Sequence, residues 1–142
     1  ETTEALELQA SDRGISLTVQ NPTKPLIVKG DRERLGQVLA NLVENAIKYN
    51  EPGGRVEMLA RPGPNQSVRI SVVDDGIGIP TELIPRLTER FYRVDKSRSR
   101  EQGGTGLGLA IVKHILEAHD TRLQVESKPG YGSTFMFDLK RK

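Results

Sequence analysis

Hydrophobic residues recur along the chain with two different periods, and the alternation of the two predicts its helices and strands. A helical pattern covers residues 1–13 and ends at Gly14, a common helix stop signal. A longer helix is predicted over residues 31–49, with Asp31 as its N-terminal cap. A third helical period covers residues 106–119. These three segments are the predicted helices of the fold.

Outside the helices, apolar residues alternate with polar ones, which is typical of strands that bury one face. Ile15, Leu17 and Val19 are such a set. Further strands are predicted at residues 25–28, 56–60, 68–73, 123–126 and 134–139. The order contains hairpins rather than strict strand–helix–strand units. It therefore favours an α+β sandwich with helices on one face of a mixed sheet.

Length and composition indicate one globular domain over residues 1–142, with a mainly aliphatic core because the chain lacks tryptophan. The absence of cysteine excludes disulfides and thiolate metal sites. No apolar run approaches the ~20 residues needed to span a bilayer, and no signal peptide is evident. Because the chain begins at Glu1 rather than methionine, we interpret it as a fragment of a longer protein.

Charge is nearly balanced overall but uneven along the chain. The 21 basic and 19 acidic residues give a net charge of +2, which by itself indicates neither a nucleic-acid nor a membrane partner. Residues 86–100 nevertheless contain six Arg or Lys and few acids. They overlap residues 88–105, which have no clean period, and long structureless loops in compact domains are often functional lids. We therefore predict a basic lid over about residues 88–105.

The predicted helix over 31–49 separates an apolar face from an unusual polar one. At about 100° per residue, its apolar residues cluster opposite a polar set. The polar set comprises Asn41, Glu44, Asn45, Lys48 and Tyr49. Asparagine is a poor helix former, yet two lie one turn apart here, and amide oxygens suit Mg²⁺. A solvated helix face is the alternative interpretation of the same pattern.

Three glycine-rich segments lie where the backbone could approach a ligand closely. Residues 74–80 (DDGIGIP) follow a strand, residues 103–109 (GGTGLGL) open a helix, and residues 130–134 (GYGST) form a turn. The second is neither a Walker loop nor a dinucleotide fingerprint, but a helix N-terminus favours an anion. Taken singly, each segment is also explained as an ordinary turn or hinge.

Taken together and in order, these segments resemble the motifs of the histidine-kinase branch of the Bergerat-fold, or GHKL, ATPases. Residues 41–50 resemble the N box, 74–80 the G1 box, 104–109 the G2 box and 130–134 the final glycine motif. Residues 91–95 (FYRVD) resemble the F box. The stretch over 84–114 is most similar to phosphate-regulon sensor kinases. The resemblance implies a two-layer sandwich, with a mixed, mainly antiparallel five-stranded sheet and about three helices on one face.

The resemblance also implies ATP and Mg²⁺ as cofactors and assigns roles by position. Asn45 is expected to coordinate Mg²⁺ with support from Asn41, and Asp74 to accept a hydrogen bond from the adenine amine. The residues expected to contact ATP are Asn41, Asn45, Lys48, Tyr49, Asp74, Gly76, Gly78, Ile79, Phe91, Tyr92, Arg93, Gly104, Thr105, Gly106, Leu107, Gly108, Leu109 and Thr134. The residues expected to act in catalysis are Asn41, Glu44, Lys48 and Arg93.

The function implied by the resemblance is transfer of the ATP γ-phosphate to a histidine on a dimerisation domain that this chain lacks, for relay to a response-regulator aspartate. The general base is expected in that missing domain, so Glu44 is expected to position water or support its neighbours. His114 and His119 lie in the wrong context to be the acceptor. The implied parent is a homodimer with a cytoplasmic catalytic domain, and an anchor of the parent in the bacterial inner membrane is left open. Neither nucleic acid nor membrane is an expected partner of this domain.

Three alternatives remain within the sequence argument. A topoisomerase, chaperone or mismatch-repair ATPase of the same fold would hydrolyse ATP, and Glu44 is compatible with that. An anti-sigma serine kinase is a second alternative. The F box, the G2 box and the short chain argue against the first, and the long lid with Phe91, Tyr92 and Arg93 argues against the second. A degenerate module that signals only by binding partners is the third, although every motif residue is intact.

Overall fold

A computed structural model of the protein describes residues 2–20, 30–48, 50–79, 82, 84 and 108–141. The helices within these ranges are α1 (Thr2–Asp12), α2 (Arg32–Lys48) and α3 (Gly108–Ala118). The strands are β1 (Ser16–Gln20), β2 (Arg55–Pro62), β3 (Ser67–Asp74), β4 (Gln124–Lys128) and β5 (Gly132–Lys140). The predicted strand over 25–28 and the predicted lid over 88–105 lie outside the described residues.

The five strands form one sheet in the order β1-β2-β3-β5-β4. β1 pairs with β2 in parallel, and the other three pairs are antiparallel. The expected mixed, mainly antiparallel five-stranded sheet is therefore confirmed. β3 is the middle strand and pairs antiparallel with β5, so the segments that follow β3 and precede β5 come together at one end of the sheet.

Alternation along the strands separates a face that packs on helices from an open face. Val56, Val72 and Phe135 belong to the hydrophobic core, together with Leu42 of α2 and Leu116 of α3. Residues of α2 at helical spacing are buried against this face because the apolar and polar sides of the helix are cleanly divided. These residues are Val38, Leu42, Val43, Ala46 and Ile47. The predicted apolar face of α2 comprised Leu39 and the last four of these residues. Those four are buried, whereas Leu39 is only partly buried.

The ends of the elements largely follow the sequence prediction. Asp31 caps α2 as expected, because its Oδ1 accepts hydrogen bonds from the backbone N–H groups of Glu33 (3.0 Å) and Arg34 (3.2 Å). β1 is less buried than its alternation predicts. Ile15 is buried just before the strand, but Val19 is 37% exposed, and β1 lies at the edge of the sheet that the described strands form.

His119, just after α3, connects α3 to the start of α2. Its Nδ1 lies 2.9 Å from the carbonyl oxygen of Ile115, and its Nε2 accepts a hydrogen bond from the backbone N–H of Asp31 at 3.0 Å. The ring therefore joins two helices, a more specific structural role than an ordinary helix-end histidine.

None of the described helices is long and apolar enough to cross a membrane.

Candidate functional site

The polar face of α2 forms one side of the candidate site. Asn41, Glu44, Asn45 and Lys48 are all partly buried, which is unusual for a purely solvated face. Asn41 Nδ2 donates to the carbonyl oxygen of Gly108 at 3.4 Å. This contact joins α2 to the beginning of α3, so the predicted metal-binding helix and the predicted phosphate-binding helix start are neighbours.

Asp74, the last residue of β3, faces the helix layer because it shares the inward alternation of Val72. Its Oδ1 accepts a hydrogen bond from the backbone N–H of Gly76 at 2.9 Å. Burial raises the pKa of Asp74 to about 6, while the backbone N–H groups of Gly76 and Ser133 partly oppose that rise. The result is a half-buried acceptor that is ionised at neutral pH.

Asp75 is the next residue and has the opposite environment. It is exposed, and its Oδ1 accepts hydrogen bonds from the Arg55 backbone N–H (2.7 Å) and from Asn50 Nδ2 (3.1 Å). The hydrogen bond from the Arg55 backbone lowers the pKa of Asp75, and the Asn50 side chain lowers it further. The Asp75 carboxylate is thus engaged by hydrogen bonds within the protein, whereas the Asp74 carboxylate is oriented towards the candidate site.

The loop that follows β3, residues 75–79, packs tightly on the turn between β4 and β5. Gly78 has a φ of +74°, and a Cβ there would collide with the Lys128 carbonyl group. Gly132 has a φ of +103°, and a Cβ there would collide with the Asp74 backbone. Gly78 was expected from the sequence to contact ATP. The structure gives it a second reason, close packing of two backbones.

Two serines support the same loop. Ser127 Oγ accepts a hydrogen bond from the Ile79 backbone N–H (2.7 Å), donates to the Gly132 carbonyl oxygen (3.0 Å) and lies 2.7 Å from Ser133 Oγ. The Gly130 N–H donates to the Ile77 carbonyl oxygen at 2.9 Å. Ile79 itself is buried in the core. The loop is therefore held along its length by β4 and the β4–β5 turn.

The register of β5 determines which of its residues lies beside Asp74. Ser133 pairs with Asp74, is buried and lies on the helix-facing side of the sheet, whereas Thr134 pairs with Val73. Since neighbouring strand residues point to opposite faces, the Thr134 side chain lies on the open face, away from Asp74. The ATP contact expected at Thr134 stays a prediction, and Ser133 is the residue whose side chain lies on the same face as Asp74. The sequence signal that could have identified Ser133 is the recurrence of Phe135, Phe137 and Leu139 at every second position, which puts Ser133 on the same face.

Several expected site residues lie outside the part of the chain that the structure describes. They are Tyr49, Phe91, Tyr92, Arg93, Gly104, Thr105, Gly106 and Leu107. Gly108 and Leu109 are described and form the first turn of α3. Among the described ranges, no group of three or more His, Cys, Asp or Glu could hold a metal ion. The amide of Asn45 is the candidate metal ligand there.

Comparison with known proteins gives one consistent result. The model of the histidine kinase-, DNA gyrase B- and HSP90-like ATPase family matches residues 30–142. The chain is 45% identical over 130 residues to the phosphate regulon sensor protein PhoR of Pseudomonas aeruginosa, covering 91% of the chain. The mycobacterial sensor histidine kinase MprB is similar in structure, with a TM-score of 0.82, 30% identity, and coverage of 99% of this chain and 91% of MprB.

A further structural relative is full-length ShkA in complex with AMPPNP, with a TM-score of 0.84 and 29% identity. It covers 99% of this chain, while this chain covers 28% of ShkA and 29% of PhoR. The chain thus spans less than a third of either protein. From the family match, the sequence identity and the shared fold, the chain belongs to the histidine kinase-, DNA gyrase B- and HSP90-like ATPase family, as a sensor histidine kinase catalytic domain.

Proposed function

We propose that this domain binds Mg-ATP and donates its γ-phosphate to a histidine on the dimerisation domain of its own sensor kinase. A response-regulator aspartate would then receive the phosphate. The single observation that carries the proposal is Asp74, a half-buried carboxylate oriented by the Gly76 N–H at the end of a central strand. A carboxylate in this state is suited to accept a hydrogen bond from an exocyclic amine.

The proposed base subsite consists of Asp74 and the residues that hold it. Its pKa of about 6 leaves the carboxylate charged at neutral pH, so it can only accept hydrogen bonds from a ligand. Adenine presents an amine there, whereas a base with a carbonyl group in the same place would meet a like-charged oxygen. Ser133, Gly76, Gly78 and Ile79 would form the walls around this contact.

The proposed metal and phosphate subsite lies on α2 and the beginning of α3. Asn45 would offer its amide oxygen to Mg²⁺, and Asn41, whose Nδ2 is bonded to Gly108, would support it. Lys48 would contact phosphate, with Tyr49. The N–H groups at the start of α3 favour an anion. Bound Mg²⁺ would neutralise charge that develops on the transferred phosphoryl group.

Catalysis by this chain would consist of positioning and charge rather than covalent chemistry. Arg93 would stabilise the terminal phosphate from the lid, where Phe91, Tyr92 and residues 104–107 complete the proposed ATP contacts. Glu44 would position water or its neighbours on α2. His119 is held between Ile115 and Asp31, so it is not proposed as an acceptor. The acceptor histidine and general base are assigned to the parent's dimerisation domain.

The rest of the proposal concerns the parent. We expect a homodimer whose catalytic domain is cytoplasmic. The domain's proposed partners are the histidine-bearing domain and a cognate response regulator. Nucleic acid and membrane surfaces are not proposed as partners. Similarity to PhoR supports a parent sensor kinase, and the AMPPNP complex of ShkA supports nucleotide binding by this domain.

Phosphate transfer is the direct test. The chain would be mixed with γ-labelled Mg-ATP and the dimerisation segment of its own parent, and the label on protein would be followed in acid and in base. Label that is lost in acid and stable in base identifies phosphohistidine. Free phosphate without labelled protein would instead indicate a hydrolysing ATPase of the same family. Failure to bind ATP would indicate a module that acts only through partners.

A further inference from the structure

Asn50 and Asp75 connect the end of α2 to the loop that carries the proposed base subsite. Asn50 Nδ2 donates to Asp75 Oδ1 and to the Arg55 carbonyl oxygen, both at 3.1 Å. Asp75 Oδ1 also accepts from the Arg55 backbone N–H at 2.7 Å. We name this set, Asn50 and Asp75 bonded to each other and to the Arg55 backbone, the Asn50–Asp75 clasp.

The surroundings of Asn50 are built around its side chain. Asn50 is only 5% exposed, and its Oδ1 accepts a hydrogen bond from the Glu51 backbone N–H at 2.8 Å. A Cβ on Gly54 would collide with the Asn50 amide, so glycine at that position leaves the space the amide fills. A buried amide with several hydrogen bonds is held in one orientation, because rotating it would leave a polar group without a hydrogen-bond partner.

The clasp joins two parts of the site that are distant in sequence. Asn50 lies two residues after the end of α2, which carries Asn41, Asn45 and Lys48. Asp75 follows Asp74 directly, so the backbone position of one determines that of the other. The opposite end of the loop is held separately by Ser127 through the Ile79 N–H. Among the described residues, the clasp therefore links the loop to the helix of the metal and phosphate subsite.

We propose that Asn50 and Asp75 are positioning residues for adenine recognition. They contact no nucleotide themselves. They fix the position of the Asp74 carboxylate relative to α2. In that position, one ATP molecule can contact Asp74 with its base and α2 with its phosphates. This inference rests on the proposed function, because it assumes that Asp74 receives the adenine amine.

A general structural role predicts a different result from a positioning role. If the clasp only stabilises the fold, its loss weakens all nucleotides equally. If it positions Asp74, its loss weakens only ligands that carry the exocyclic amine. Purine riboside triphosphate, which is ATP without that amine, separates the two cases.

The test compares Mg-ATP and Mg-purine riboside triphosphate by calorimetric titration of this chain. The unmodified chain should prefer ATP by about 10-fold or more, since a hydrogen bond to a charged group is worth that much. Asp75→Ala should lower this preference to about threefold or less by weakening ATP alone. Asn50→Ala should act in the same direction.

Two matched variants serve as controls. Asp75→Asn keeps an Oδ1 acceptor in place, so it should restore most of the preference for ATP. Asp138→Ala also removes a carboxylate that holds a neighbour, because Asp138 accepts from Arg69 Nε and Nη2 at 2.8 and 3.0 Å on the open face. It should leave the preference unchanged. Thermal unfolding of each variant would verify that it is folded at the titration temperature.

The outcomes separate this inference from the function on which it rests. If Asp75→Ala weakens both ligands equally, or neither, while Asp74→Ala still abolishes the preference, the positioning role is wrong and the base subsite stands. If the unmodified chain shows no preference for the amine, the assignment of Asp74 and the clasp are both wrong.

Discussion

Two adjacent carboxylates at the end of β3, Asp74 and Asp75, have opposite environments and opposite pKa shifts. On the helix-facing side, Asp74 is half-buried and its pKa is raised to about 6. Asp75, the next residue, is exposed, bonded to the Arg55 backbone and to Asn50, and its pKa is lowered. One residue of sequence therefore separates a carboxylate that burial destabilises from one that hydrogen bonds stabilise. A polar group kept in an unfavourable state at a cleft is a common property of binding sites.

The largest effect expected from this comparison is on ATP affinity. Asp74→Ala should weaken Mg-ATP binding by about 100-fold, since it removes a charged acceptor and leaves the N–H groups around it without their partner. Isothermal titration would measure the loss. Wild-type affinity in this variant would contradict the assignment of the base subsite to Asp74.

The second prediction concerns stability against pH, where the two carboxylates should differ in sign. The folded state binds the Asp74 proton more tightly than the unfolded chain, so this residue's contribution to stability falls as pH rises from 3.8 to about 6. Asp74→Asn should therefore be more stable than the unmodified chain at pH 8, by about 1–3 kcal/mol. The two should converge near pH 4.

For Asp75 the sign is reversed. Its lowered pKa means that its ionised form stabilises the fold above pH 3.8, and that this contribution is lost as pH falls below that value. Asp75→Ala should be less stable than the unmodified chain at neutral pH and approach it in acid. Urea unfolding at a series of pH values would measure both variants. Parallel pH profiles for Asp74→Asn and Asp75→Ala would contradict the comparison.

The smallest effect concerns the register of β5. Ser133→Ala removes a buried hydroxyl that lies 2.7 Å from Ser127 Oγ, so it should cost about 1 kcal/mol of unfolding free energy. It should also weaken ATP binding severalfold. Thr134→Ala, one residue further on the open face, is the matched control and should change ATP affinity little. A larger loss of affinity in Thr134→Ala than in Ser133→Ala would support Thr134, as expected from the sequence, as the ATP contact.

The regular elements were predictable because their signals are local. The apolar face of α2 and the cap at Asp31 each depend on residues within a few turns of the helix. The Asp74–Ser133 pairing and the Asn50–Asp75 bond join residues 59 and 25 positions apart, so no local period reveals them. Ser133 was still within reach, because the alternation of β5 around Phe135 separates it from Thr134. Asn50 lay in a recognised motif, but its bonding partners were not evident.

The bond between His119 and Asp31 has a spectroscopic consequence. A ring that accepts at Nε2 and faces the Ile115 carbonyl with Nδ1 must carry its single proton on Nδ1. Nitrogen chemical shifts distinguish this tautomer from the one protonated at Nε2. His114 is exposed on the same helix and provides an internal comparison. The chain thus contains a natural NMR probe of whether α2 and α3 keep their relative position when a ligand is added.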